Sequence, residues 1–191
     1  MTSTSPLLVF DAVVAGYTQE VVGPVSFSVF PGETVGLTGP NGSGKTTLAN
    51  TVLGTARVFQ GAVRRAEGLT VAVQRQHPVR LSERPLTGRE FVRLAGADQQ
   101  PMPASIRPFV DRRVDRLSGG QFQLLQVWAT LGAPVGLVIL DEPTSNMDPH
   151  AKESLEEILR ASHELVEGVL VISHDHEFLD HVTSRTVRID Q

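Results

Sequence analysis

Apolar positions recur along the chain in two rhythms. Thr34 to Thr38, Val135 to Leu140 and Val169 to Ser173 carry short apolar runs, the pattern of strands buried on both faces of a parallel sheet. Leu7 to Val14 and Val25 to Phe30 are β-branched and aromatic stretches broken by Gly16, Gly23 and Pro24, and they predict strands ahead of a Pro31-Gly32-Glu33 turn. Ala62-Val63 and Leu69 to Val73 read as shorter strands, and Thr186 to Ile189 as a closing one. Helical spacing appears at Thr46 to Leu53, closed by Gly54, and in patches at Gly88 to Leu94 and Ser105 to Val114. Behind Ser118 as N-cap, Phe122, Leu125, Trp128 and Leu131 predict a helix that Gly132 ends. Asp148-Pro149 is an N-cap followed by proline at the first helical position, opening a helix expected to reach about Glu167.

Composition narrows the class. A chain of 191 residues fits a single domain, here 1–191, with a substantial core. With 40% hydrophobic and 20% charged residues it has the balance of a soluble globular protein. The net charge of -4 gives no electrostatic ground for a nucleic-acid partner, and none is expected. The absence of cysteine excludes disulfides and thiolate metal sites. No apolar run approaches the roughly 20 residues that span a bilayer, and no basic segment leads into an apolar one at the N-terminus. The expected location is cytoplasmic, with any membrane association made through a partner.

The densest chemistry lies between an apolar run and a helical one. Gly39-Pro-Asn-Gly-Ser-Gly-Lys-Thr46 fits G-x-x-x-x-G-K-[ST], the phosphate-cradling loop, in the strand–loop–helix context the motif requires. Glycines at 39, 42 and 44 let the backbone approach a phosphate, and N–H groups at the helix start point at an anion. Lys45 is expected to reach the β- and γ-phosphates and the Thr46 hydroxyl to hold Mg²⁺. Asp141-Glu142 ends a buried strand, where two adjacent carboxylates are costly unless they serve a cation or a reacting group. Asp141 suits Mg²⁺. Glu142, pointing the other way in an extended chain, suits polarisation of an attacking water. His174 follows another core strand to the same sheet end and reads as catalytic. Leu117-Ser-Gly-Gly-Gln121 places two glycines in a first helical turn, which costs helix stability unless the backbone lies against something such as a phosphate. Tyr17, the single tyrosine, is a candidate to stack on an adenine ring or simply to pack.

Taken in order, the P-loop, a glutamine, LSGGQ, the apolar strand with Asp141-Glu142, Ser-Asn-Met-Asp148 and Ser-His174 resemble the ATP-binding cassette family over nearly the whole chain. LSGGQ ahead of an Asp-Glu strand separates this likeness from P-loop kinases and GTPases. The resemblance implies an α/β fold: an ATP-binding core with a mixed sheet (37–80 and 134–191), an antiparallel β subdomain (6–36) and a short helical subdomain (81–133). It implies a homodimer around two ATPs with Mg²⁺, in which Ser118, Gly119, Gly120 and Gln121 of one copy face the γ-phosphate held by the other. Gly39, Pro40, Asn41, Gly42, Ser43, Gly44, Lys45, Thr46 and Thr47 would cradle the nucleotide. Tyr17 would stack on adenine, and Thr46, Gln76 and Asp141 would serve the metal. Glu142 and His174 would run hydrolysis, Gln76 would sense the transport partner, and Ser145 to Asp148 would bridge the subunits. Gln74 competes with Gln76 for that glutamine.

The short path from Lys45 to Gln76 and the following Pro85-Leu-Thr-Gly-Arg-Glu-Phe91 look like zinc and manganese uptake ATPases. That likeness implies an integral-membrane permease, an extracytoplasmic substrate-binding protein acting indirectly, and a peripheral place on the inner face of the membrane. Phe122, Leu124, Ala129, Arg75 and Asn146-Met147 depart from common family residues, which bears on partner coupling. Other readings are an exporter ATPase, a soluble cassette acting on ribosomes or nucleic acid, and a cassette that binds ATP without cleaving it. Intact Glu142 and His174 oppose the last.

Overall fold

The structure is a computed structural model and describes residues 5–75, 86–145 and 147–190. Its first two strands, β1 (Leu8–Gly16) and β2 (Glu20–Val29), pair antiparallel. Register shifts interrupt the pairing after Phe10, and Phe10 itself stacks on its cross-strand partner Phe27 with ring centroids 4.5 Å apart. Strand β3 (Thr34–Thr38) leads into helix α1 (Lys45–Val52), followed by β4 (Arg57–Arg65) and β5 (Val71–Gln74). β4 returns to pair antiparallel with β1, so the antiparallel sheet, ordered β2-β1-β4, draws on residues after the P-loop helix as well as on 6–36.

The second half supplies α2 (Gly88–Leu94), α3 (Gly119–Leu131), β6 (Leu137–Asp141), α4 (Pro149–Arg160), β7 (Gly168–Ile172), α5 (His176–Val182) and β8 (Arg185–Arg188). Strands β5-β6-β7-β3-β8 form one sheet in that order, with every pairing parallel. The mixed character expected of the fold thus lies between two sheets, one antiparallel and one parallel.

The unbroken apolar runs are explained by burial on both faces of this parallel sheet. Val138, Leu140, Val169 and Val171 face a cluster built with α3, α4 and α5, including Leu125, Leu131, Leu155 and Phe178. Leu137, Ile139, Leu170 and Ile172 face the other way, onto α1 and the antiparallel sheet through Leu48, Leu8 and Phe10. Truncating any of the leucines or isoleucines among these to alanine would cost about 2–5 kcal/mol.

Two expected helices need correction, and one helix is additional. The patch at Ser105 to Val114 is a series of turns with a 3₁₀ turn at Val114–Arg116, not a helix; Pro108 removes a backbone donor there. Helix α4 stops at Arg160, well before Glu167. The Ser162 hydroxyl donates to the Leu159 carbonyl (2.7 Å), drawing on an oxygen the next turn would use, and a 3₁₀ turn follows. Helix α5 was not expected at all, yet it has a local cause, since the Asp175 carboxylate caps it by accepting the Phe178 N–H (3.0 Å).

In a parallel sheet, ligands bind beyond the carboxyl ends of the strands. The neighbours β6, β7 and β3 deliver Asp141-Glu142, His174 and the loop 39–44 to that one edge.

Candidate active site

Each P-loop glycine answers to a different constraint. Gly44 has φ 88°, and a Cβ there would lie 2.3 Å from the Val22 Cβ, so helix α1 can begin against β2 only with glycine. Gly42 has φ 83° but no atom within 4 Å of the Cβ position, so its requirement is conformational and its surroundings are open. Lys45 is 7% exposed, and its Nζ donates to the carbonyls of Gly39 and Pro40, both at 2.9 Å. The ammonium is thus folded over the mouth of its own loop. The Ser43 hydroxyl is buried without a hydrogen-bond partner.

The carboxylates come from the end of β6. Asp141 Oδ2 accepts the Thr46 hydroxyl (2.9 Å), while its Oδ1 is buried with no partner. Burial pushes the Asp141 carboxyl above its ordinary range, and the Glu142 charge adds to this. The Thr46 hydrogen bond and the Lys45 charge oppose the rise without cancelling it. Glu142 does not continue the strand as an extended residue, which corrects the expectation that it points away from Asp141. Its φ is 51°, a left-handed conformation that costs a non-glycine residue about 1 kcal/mol or more. Its N–H to Ile172 O (2.9 Å) and its carbonyl to Ser145 N–H (3.1 Å) hold it there. The turn brings the carboxylate into the same cavity as Asp141, where Glu142 Oε2 lies 2.9 Å from His174 Nδ1. With Glu142 ionised, that nitrogen carries the proton and donates, leaving the other ring nitrogen to face outward chemistry.

Lys45, Thr46, Asp141, Glu142 and His174 line one cavity of about 460 Å³, together with Val21, Asn41, Gly42, Gly44 and Thr47. That volume is in the range of small-molecule sites. Gly39 and Pro40 back the cavity through the Lys45 ammonium.

Other expected residues lie elsewhere. Ser118, Gly119, Gly120 and Gln121 are not part of this cavity. They begin α3 in a complete capping box, the Ser118 hydroxyl accepting Gln121 N–H (3.2 Å) and Gln121 Oε1 accepting Ser118 N–H (3.1 Å). Gly120 has a packing cause within the chain, because a Cβ there would lie 3.2 Å from that of Ala151 in α4. Gly119 has nothing within 4 Å. Tyr17 is half exposed, and its hydroxyl accepts from Asn50 Nδ2 of α1 at 2.7 Å. Asn50 has no motif to mark it, and only the fold shows its contact. Gln76 and Asn146 lie outside the described residues. Gln74 is buried at the end of β5, its Nε2 donating to Arg75 O (2.9 Å) and its Oε1 unpartnered.

A sequence model described as ABC transporter matches residues 22–145. The chain belongs to the ABC transporter family. This ABC ATPase binds and hydrolyses ATP, and its fold is that of the family. It is 32% identical over 195 residues to the zinc import ATP-binding protein ZnuC of Marinobacter nauticus, a match covering 98% of this chain and 76% of that protein. It is 39% identical over 167 residues to the protein of the same name from Paracoccus denitrificans, covering 81% of this chain and 64% of that one. A solved structure described as the ATP binding subunit of an ABC transporter superposes with a TM-score of 0.77 at 26% identity, over 96% of this ABC ATPase and 85% of that chain. Among the described residues, no helix is long and apolar enough to cross a membrane.

Proposed function

We propose that this ABC ATPase powers a zinc importer, two copies closing around two ATP molecules to drive a membrane permease. The zinc assignment rests on what the relatives' names say they import. An extracytoplasmic binding protein would hand the ion to the permease, and this subunit would sit peripherally on the cytoplasmic face without touching the cargo. The observation that carries the hydrolytic reading is the convergence of Lys45, Thr46, Asp141, Glu142 and His174 on one cavity.

Each residue's role follows from its surroundings. The Lys45 ammonium exchanges two carbonyl partners for β- and γ-phosphate oxygens, a stronger charge-assisted pairing. N–H groups of the loop 39–44 and the start of α1, including Thr47, hold the same anion. Thr46 Oγ1 and Asp141 fit Mg²⁺, being oxygen donors side by side, one of them a buried carboxylate oxygen with no other partner. That ion would neutralise charge on the β- and γ-phosphates. Glu142 orients the attacking water and draws on its proton, held in place by His174 Nδ1. The second nitrogen of His174 contacts the γ-phosphate. Ser118 to Gln121 of the second copy complete the far side of the triphosphate. Tyr17, steadied by Asn50, offers its ring to adenine. Gln76, outside the described residues, would report the permease's state, a role that rests on the family resemblance alone.

The test is transport itself. With its permease in lipid vesicles, the wild-type ATPase is expected to drive ATP-dependent zinc accumulation, and Glu142→Gln to stop it. Zinc uptake that ignores this substitution, or purification of the native protein on ribosomes instead of a multispanning partner, would defeat the reading.

A further inference from the structure

Helix α4 begins immediately after Asp148. Asp148 Oδ1 accepts Ala151 N–H (2.9 Å) and its carbonyl accepts Lys152 N–H (3.0 Å). Lys152 therefore stands in the first turn of the helix, rigidly tied to Asp148. Its Nζ crosses to the start of α5 and donates to Asp175 Oδ2 at 2.5 Å, and both side chains are 27% exposed. Asp175 is committed on every side. Its Oδ1 accepts Phe178 N–H (3.0 Å) and its own N–H donates to Ser173 Oγ (3.1 Å). Burial pushes its carboxyl upward, but the Lys152 and Phe178 hydrogen bonds, together with the neighbouring positive charge, hold it below the ordinary range. His174 is the residue between Ser173 and Asp175, and its ring reaches Glu142.

We propose that Lys152 is a positioning residue for hydrolysis: through Asp175 it sets the loop that aims His174 at Glu142. No motif in the sequence marks Lys152. The inference rests on the catalytic reading of Glu142 and His174 above.

A second tie between the same helices supplies the control. Glu156 Oε2 accepts from Arg160 (3.0 Å) and sits 3.1 Å from His181 Nδ1, at the far end of α5 from the His174 loop. If Lys152 served only to dock α4 on α5, losing either tie would act alike.

The experiment measures steady-state ATP hydrolysis and melting temperature for Lys152→Met, Lys152→Arg, Glu156→Ala and His174→Ala in the full chain with its permease. Lys152→Met is expected to lower kcat ~10–100-fold with KM for ATP within about threefold, as a displaced catalytic group does. Lys152→Arg should recover most of the rate, and Glu156→Ala should keep wild-type kcat even where it melts earlier. A Lys152→Met kcat within twofold of wild type overturns the proposal, as does a loss in Glu156→Ala matching that in Lys152→Met. Wild-type hydrolysis by His174→Ala would bring down the catalytic reading beneath it, a failure distinguishable from the other two.

Discussion

At the carboxyl ends of β3, β6 and β7 the chain holds groups against their own preferences. Glu142 is left-handed without being glycine, Asp141 keeps a buried oxygen unpartnered, and Lys45 is folded back on its own loop. The start of α3 shows none of this. Ser118 and Gln121 satisfy one another in a capping box, and Gly119 stands in open space. The first region has stored its costs where a ligand can relieve them. The second is relaxed and preformed, a surface that needs nothing from within its own chain. Under the proposed function this is a division of labour, in which one region would bind and cleave and the other would complete a site on a second copy. Substitutions in the two regions should therefore separate nucleotide binding from turnover.

The largest separation is expected at Glu142. Glu142→Gln keeps the shape and the His174 contact but removes the negative charge. Turnover should fall ~10³-fold, while ATP affinity changes little and ATP-loaded protein elutes as a dimer in size-exclusion chromatography with light scattering. Undiminished hydrolysis would remove Glu142 from its role, and a strictly monomeric ATP-loaded variant at all concentrations would undo the division. Lys45→Ala should act on binding instead. Truncating one member of a buried charge pair would weaken ATP affinity ~100-fold, read by titration calorimetry on the isolated chain. Tight ATP binding by that variant would contradict the P-loop assignment.

The two signature glycines sharpen the comparison further. A Cβ at Gly119 has no atom within 4 Å in the free chain, so Gly119→Val should keep a melting temperature and ATP affinity close to wild type while ATP-driven dimerisation and turnover fall ~10-fold or more. Gly120→Val meets Ala151 and should lose about 1–3 kcal/mol of stability by overpacking. Equal turnover in Gly119→Val and wild type would show that α3 does not close on a second copy.

What was legible in advance follows the range over which each signal acts. The P-loop, the β6 and β7 strands and the start of α3 were readable because strand burial, glycine turns and capping are encoded within a few neighbouring residues. The pairing of β4 with β1 was not readable, because the register across an intervening strand and helix depends on the whole antiparallel layer. The turn at Glu142 was misread as extended for a similar reason. It is held by Ile172 O, a residue thirty positions onward, and a left-handed glutamate leaves no local mark. The Lys152–Asp175 contact of α4 with the cap of α5, and the Asn50–Tyr17 contact of α1 with the β1–β2 turn, are likewise products of tertiary packing, invisible to periodicity.

The smallest expected effect concerns stability, and it tests whether the sheet edge stores a cost. Because burial lifts the Asp141 carboxyl above its ordinary range, the folded chain keeps that proton to higher pH than the unfolded chain does. The contribution of this group is therefore most favourable below the ordinary carboxylate range. It is lost as pH rises through the window between the ordinary and the raised value, leaving a buried charge as a burden at neutral pH. Asp141→Asn removes the charge, and its side-chain carbonyl can still accept the Thr46 hydroxyl. At neutral pH without nucleotide or divalent cation, this variant should melt ~2–4 °C above wild type, with the gap closing as pH falls through that window. Adding Mg²⁺ and ATP should reverse the order, since only wild type keeps the carboxylate that suits the ion, and the variant should hydrolyse ATP poorly. A variant that melts below wild type at neutral pH in the absence of ligand would show that Asp141 is not held at a cost, and the contrast with the relaxed start of α3 would lose its physical basis.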